Sequence, residues 1–220
     1  MRGNLKYLSD TKGECADDID LSLIETDIEK KFISWTRILE DTISHLQQAI
    51  QEYEKLVFKF LTGSKIFDDY KCFFSNCLAN LCIAITINIG KICANKNKLS
   101  LYKYNDFCKD HADIIFRKNF DSLFEINRSS ISKLITNYKE LIETPRNKIY
   151  GHNDDIQLVS EGAEAVVAKI DVSDLYQFVN QSKRVLLETW KLYNGHDLCF
   201  EFENSDDLKK LIAILENPYN

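Results

Sequence analysis

The sequence predicts an all-α protein, an antiparallel bundle of long helices. Apolar residues recur at steps of three and four over long stretches, which is the spacing of one helical face. Glycine and proline are scarce, seven and two in 220 residues, so little interrupts those stretches. Most connections between them are short, as between antiparallel neighbours.

The first stripe runs through Leu21, Ile24, Ile28, Trp35, Ile38, Leu39, Ile43, Leu46, Ile50, Tyr53, Val57 and Phe60, and meets no glycine until Gly63. A helix of that length would reach roughly 60 Å at about 1.5 Å per residue, long enough to brace a partner subunit as well. A second helix is expected from about Ile66 to Cys93. It is apolar nearly all round, with Phe73, Cys82, Ile83 and Ile87 opposite its main face, so burial on several sides is expected. Residues 94–100 form a polar Asn/Lys loop. Helices follow from about Tyr102 to Lys118 and from about Asp121 to Ile142. Thr144-Pro145 then restarts the chain, threonine as N-cap and proline at the first helical position. Gly151 can end that short turn. Val166 to Val172 favours β structure and allows a small β-hairpin after it. Ser173 and Asp174 can cap the next helix, which Asn194-Gly195 stops. Leu198, Phe200 and Phe202 alternate as in a short strand or an extended link. Ser205-Asp206-Asp207 can cap a last helix carrying Leu208, Leu211, Ile212 and Leu215. The chain thus divides into an N-terminal arm (1–20), a helical domain (21–195) and a C-terminal extension (196–220).

Composition narrows the function. The chain is 45% hydrophobic and 28% charged, which suits a globular fold rather than disorder. A net charge of −6 argues against a nonspecific nucleic-acid coat but leaves room for a local basic patch. Lys91, Lys96 and Lys98 form one basic cluster. Lys133, Lys139, Arg146 and Lys148 form another. Either alone reads first as solvated surface. Seven cysteines do not make a paired disulfide set. Cys72, Cys77, Cys82 and Cys93 lie in or beside an apolar run, where thiols act as small hydrophobes. Their spacing lacks the ligand pattern of a zinc site, so no metal and no cofactor are expected. Reduced thiols and a polar start from Met1 to Asp20 suggest a cytoplasmic protein. The run Cys77–Ile92 is interrupted by Asn80, Thr86, Asn88 and Lys91, so no membrane span is expected.

One stretch carries chemistry: Glu143-Thr-Pro-Arg-Asn-Lys-Ile-Tyr-Gly-His-Asn-Asp-Asp155. Arg146 can grip a phosphate with a planar fork of donors. His152 can move a proton in either direction near neutral pH. Asp154 or Asp155 could orient the imidazole. His45, His111 and His196 lack such company and read as structural or surface residues. No glycine-rich phosphate loop, His-Glu-x-x-His or Gly-x-Ser-x-Gly motif occurs. In a straight helix, the six steps from Arg146 to His152 advance about 9 Å and rotate a net of about 240°. The two side chains would not share a face. A helix break at Gly151, a second subunit, or both would bring them together.

Arg146-Asn147-x4-His152 resembles the Arg-x(4–6)-His motif of the HEPN superfamily of all-α domains, with a polar residue directly after the arginine. The layout resembles the abortive-infection branch: a long apolar helix, a polar loop and a Leu99-Ser100-Leu101 restart, with the motif some forty to fifty residues later. The resemblance covers about residues 25–195. It implies an antiparallel bundle of the HEPN type and a metal-independent endoribonuclease serving as a toxin or antiphage effector. It further implies a homodimer with two motifs facing across a cleft, RNA as partner and an antitoxin protein as a second. His152 would act as general base or acid, Arg146 would stabilise charge on phosphorus, and Asn147 would orient the motif. Lys148, Tyr150 and Asp154 would contact substrate. The same cluster is also open to two other readings, a non-catalytic dimeric interaction module and a nucleotide-binding regulator.

Overall fold

A 35-residue helix, α1 (Asp27–Leu61), is the axis on which the other elements pack. It is about 52 Å long at the standard helical rise. The computed structural model describes residues 20–62, 65–94, 99–138, 171–196, 198, 200 and 207–216. Among these the protein is all-α, with eight α-helices and no strand. The rest are α2 (Lys65–Asp69), α3 (Lys71–Cys93), α4 (Leu101–Asp110), α5 (Ala112–Ile115), α6 (Asp121–Asn137), α7 (Val172–Asn194) and α8 (Asp207–Glu216).

α1 starts later than its apolar stripe suggested. Leu21–Leu23 is a 3-10 turn, tied down by the Asp20 carboxylate, which accepts from the Ser22 N–H at 2.9 Å. Thr26 then opens the helix. Its Oγ1 accepts from the Glu29 N–H at 3.1 Å and donates to the Glu29 carboxylate at 2.8 Å. This reciprocal pair satisfies an orphan donor of the first turn and holds a negative charge at the positive end of the helix dipole. Thr26→Ala is expected to lower stability by about 1 kcal/mol, and Thr26→Ser to retain most of it. Thermal unfolding checks this, through a midpoint about 3 °C lower for the alanine variant.

The inward face of α1 is set by Phe32, Ile33, Leu39, Ile43, Leu46 and Ile50, all at most 2% exposed. Ile38, counted in the sequence stripe, points outward, while Phe32 and Ile33, omitted from it, are sealed in the core. The phase 32, 36, 39, 43, 46, 50 follows steps of three and four, and Ile38 falls off it. Thr36 keeps that phase with a polar side chain because its hydroxyl has partners, the Phe32 carbonyl at 3.0 Å and the Tyr104 hydroxyl at 2.9 Å. The second bond joins α1 to α4 inside the core.

The flanking helices run antiparallel to α1. Leu56, near its C-terminus, shares a small core cluster with Phe74 at the start of α3. Glu54 bonds Tyr176 at the start of α7, while Phe32 stacks on Trp190 at the other end of α7. α4 and α6 form a second antiparallel pair. Asn105 donates to the Phe124 carbonyl, and Arg128–Asp106 and Lys109–Glu125 link their outer faces.

Two expected helices are broken. The one expected over 66–93 divides at Tyr70, which leaves the helical region at φ −120°, ψ 35°. The one expected over 102–118 divides at His111 (φ −121°, ψ 23°) and ends where Arg117 takes the left-handed region at φ 53°. α3 is also less enclosed than its all-round apolar pattern suggested. Ile85, Ile89 and Ile92 are buried, but Phe73 is half exposed. By length and composition α3 could cross a membrane, contrary to the expectation from Cys77–Ile92. Its inward residues pack in the main core with those of α1, as in a core helix. The stop at Gly195 is as expected: its φ of +83° is the left-handed C-cap that glycine adopts without strain.

Candidate functional site

The residues singled out for chemistry, Arg146, Asn147, Lys148, Tyr150, His152 and Asp154, lie outside the described residues, as do the Thr144-Pro145 cap, Gly151 and nearly all of the expected hairpin. The structure does describe the two points from which their segment departs and to which it returns. α6 ends at Tyr138, whose N–H bonds the carbonyls of Leu134 and Thr136. The Tyr138 ring meets Phe178 of α7 edge-on, with centroids 4.8 Å apart. Its hydroxyl donates to the Asp174 carbonyl at 2.5 Å. Residues 139–170 are therefore tethered at both ends to one place, where the end of α6 is bonded to the first turn of α7.

The second tether is a cap that the sequence pattern misplaced. Asp171, not Ser173 or Asp174, opens α7, because its carboxylate accepts from the Ser173 N–H at 2.9 Å. Hydrogen bonding from Ser173, backbone first and then hydroxyl, holds the Asp171 carboxyl below its usual range. Val172, assigned to a β-favouring run, is the first residue of α7. A third tie fixes this corner to α1: the Tyr176 hydroxyl donates to Glu54 Oε2 at 2.8 Å. Burial and then that carboxylate push the Tyr176 phenol well up, so it stays a donor. Asp171, Asp174 and Glu54 make the corner acidic, so a phosphate approaching there needs cations of its own.

Tyr138→Phe isolates the tether. It deletes the hydroxyl, keeps the ring on Phe178, and leaves the Asp174 carbonyl one partner short. A loss of about 1 kcal/mol is expected in chemical denaturation. Protease cleavage within 139–170 should rise alongside it if the tether restrains that segment.

The other candidate groups read as scaffold. His45 is exposed on α1. His111 packs its ring edge-on against Phe107 at the α4–α5 break. His196 is exposed just past Gly195. The described cysteines are free thiols. Burial raises Cys93 to about 12 and Cys108 well above its usual value, which makes both unreactive. Among the described residues no group of His, Cys, Asp and Glu is arranged to hold a metal ion. Burial brings the Lys183 amine down to about 8, and its Nζ lies 4.7 Å from the centroid of the Phe200 ring.

Sequence reasoning overlooked one cationic arrangement. Lys31 Nζ lies 4.7 Å from the Trp35 ring centroid and 4.9 Å from that of Phe107, with Lys103 over the same indole. The signal was present as Lys31/Trp35 and Lys103/Phe107, both spaced i, i+4. It went unread because α1 and α4 must pack before the four residues meet.

No protein-family model, no curated protein and no solved structure matches the chain.

Proposed function

We propose that the protein is a metal-independent endoribonuclease of the HEPN type, acting in the cytoplasm as an antiphage, abortive-infection or toxin effector. The observation that carries the reading is the Arg146-Asn147-x4-His152 string in an all-α chain. Support comes also from the tethering of residues 139–170 at both ends and from the structural settings of His45 and His111.

In this reading His152 takes the proton from a ribose 2′-hydroxyl. The freed oxygen attacks the adjacent phosphorus, and the guanidinium of Arg146 stabilises the negative charge gathering on the non-bridging oxygens. The P–O5′ bond breaks and the leaving oxygen takes up a proton. The products are a 2′,3′-cyclic phosphate and a 5′-hydroxyl. Asn147 orients the motif, and Lys148, Tyr150 and Asp154 contact the RNA by charge, stacking and hydrogen bonding. A homodimer would let each subunit contribute groups to a shared cleft, and an antitoxin protein would restrain the activity. The test is cleavage of end-labelled RNA by the wild-type chain and by the Arg146/His152 double variant, with the product ends identified.

A further inference from the structure

Phe58, Leu61, Tyr70, Phe73, Leu211 and Ile214 are large apolar side chains between 40% and 79% exposed. They belong to the last turns of α1, the α2–α3 corner and α8. These elements surround the small second core cluster of Leu56, Ile66, Phe67 and Phe74, on which Leu215 of α8 also packs. Phe73 meets Phe74 edge-on, so its ring continues the cluster outward. At about 200 Å² for a large side chain, the exposed fractions leave roughly 700 Å² of apolar surface. That exceeds the roughly 300–600 Å² of the largest patch on a typical monomer. It approaches the ~800 Å² that each partner contributes to a standard interface.

We infer that this end of the bundle is a self-association surface, covered by the same end of a second copy of the chain. The charges favour that occupant. Lys65, Asp68, Asp69 and Lys71 lie side by side at the α2–α3 corner, all exposed. A surface bearing both signs at one corner does not select a strongly acidic or strongly basic partner. Across a two-fold axis, however, the lysines of one copy can face the aspartates of the other. The chain's own ends are poor covers. Residues 1–19 join at the opposite end of α1, and only residues 217–220 follow α8.

The surface stands independently of the cleavage reading. One consequence rests on that reading: Glu54, which holds Tyr176, is one helical turn from Phe58, so association here brings the tethers of both motif segments to one side of the interface.

Sedimentation velocity of the full chain over a wide concentration range tests the inference. The wild type is expected to associate as a dimer. Leu61→Glu and Phe73→Glu, on different helices, are each expected to weaken association about a hundredfold by placing a charge in an apolar contact. Ile38→Glu and Ile126→Glu, exposed elsewhere, are expected to leave it unchanged. Circular dichroism reports whether each variant folds, and either patch variant alone decides the outcome. A wild type that stays monomeric overturns the inference, including the case in which residues 139–170 cover the patch within one chain. Association equal to wild type in the folded patch variants also overturns it. RNA cleavage is measured separately on the same samples, so failure to associate and failure to cleave are told apart.

Discussion

The Arg146→Ala/His152→Ala double variant is expected to lose RNA cleavage while its far-UV circular dichroism stays at the wild-type level. Neither residue belongs to the described helices whose packing forms the core, so the helical signal is an independent check on folding. Removing a positioned general base typically costs about 10²–10⁴ in rate. Removing a donor that stabilises transition-state charge costs about 10²–10³. The groups act on one transition state, so the double variant should be little worse than the more damaged single variant. Arg146→Lys keeps the charge but loses the planar fork, and should fall between wild type and Arg146→Ala. Cleavage products should carry 2′,3′-cyclic phosphate ends, the mark of attack by the neighbouring hydroxyl. EDTA should leave the rate unchanged, because no step in the proposed mechanism uses a metal. A folded double variant that cleaves as fast as wild type would remove Arg146 and His152 from the chemistry and leave the interaction-module reading in their place.

The all-α class was legible because helical periodicity is a property of the chain alone. α1, α3, α6 and α7 write their inward faces into the spacing of apolar residues, and Gly195 marks a stop that few residues but glycine tolerate. What periodicity cannot register is a break without a breaker. Tyr70 and His111 interrupt helices without a proline or glycine, and in both cases aromatic rings beside the break, Phe73 on Phe74 and Phe107 on His111, are packed into place. Caps were missed for a related reason. Thr26 and Asp171 act through single hydrogen bonds, and the neighbouring Ser173 and Asp174 offered equivalent chemistry to the eye. Sequence locates the candidate site only as a string. The tether that fixes its ends, Tyr138 on Phe178 and Asp174, joins residues 36 apart along the chain for its hydrogen bond, a pairing no local pattern encodes.

Phe32→Ala is expected to be among the most destabilising single changes in the protein, at about 3–5 kcal/mol. Phe32 is fully buried, and its ring meets four others: Tyr104 at 5.8 Å, Phe116 at 5.7 Å, Trp190 at 6.1 Å and Tyr193 at 5.0 Å between centroids. Those rings come from α4, the end of α5 and the C-terminal half of α7, so one side chain fills the space where three elements close on α1. Alanine would leave a cavity that packed aromatic neighbours cannot collapse into, while Phe32→Leu keeps much of the volume and should cost clearly less. Against a total stability of about 5–15 kcal/mol, the alanine change removes a large share. Urea unfolding should show it as a lower midpoint with the slope unchanged. Ile38→Ala is the matched control. It removes a large apolar side chain from the same helix, but one that is 52% exposed, and should stay within about 0.5 kcal/mol of wild type. The pair decides the rotational phase of α1. The sequence stripe placed Ile38 inward and omitted Phe32, whereas the structure reverses them. If Ile38→Ala proved the costlier change, α1 would have to be turned about its axis, and the Thr36–Tyr104 bond that fixes α4 against it could not form as described.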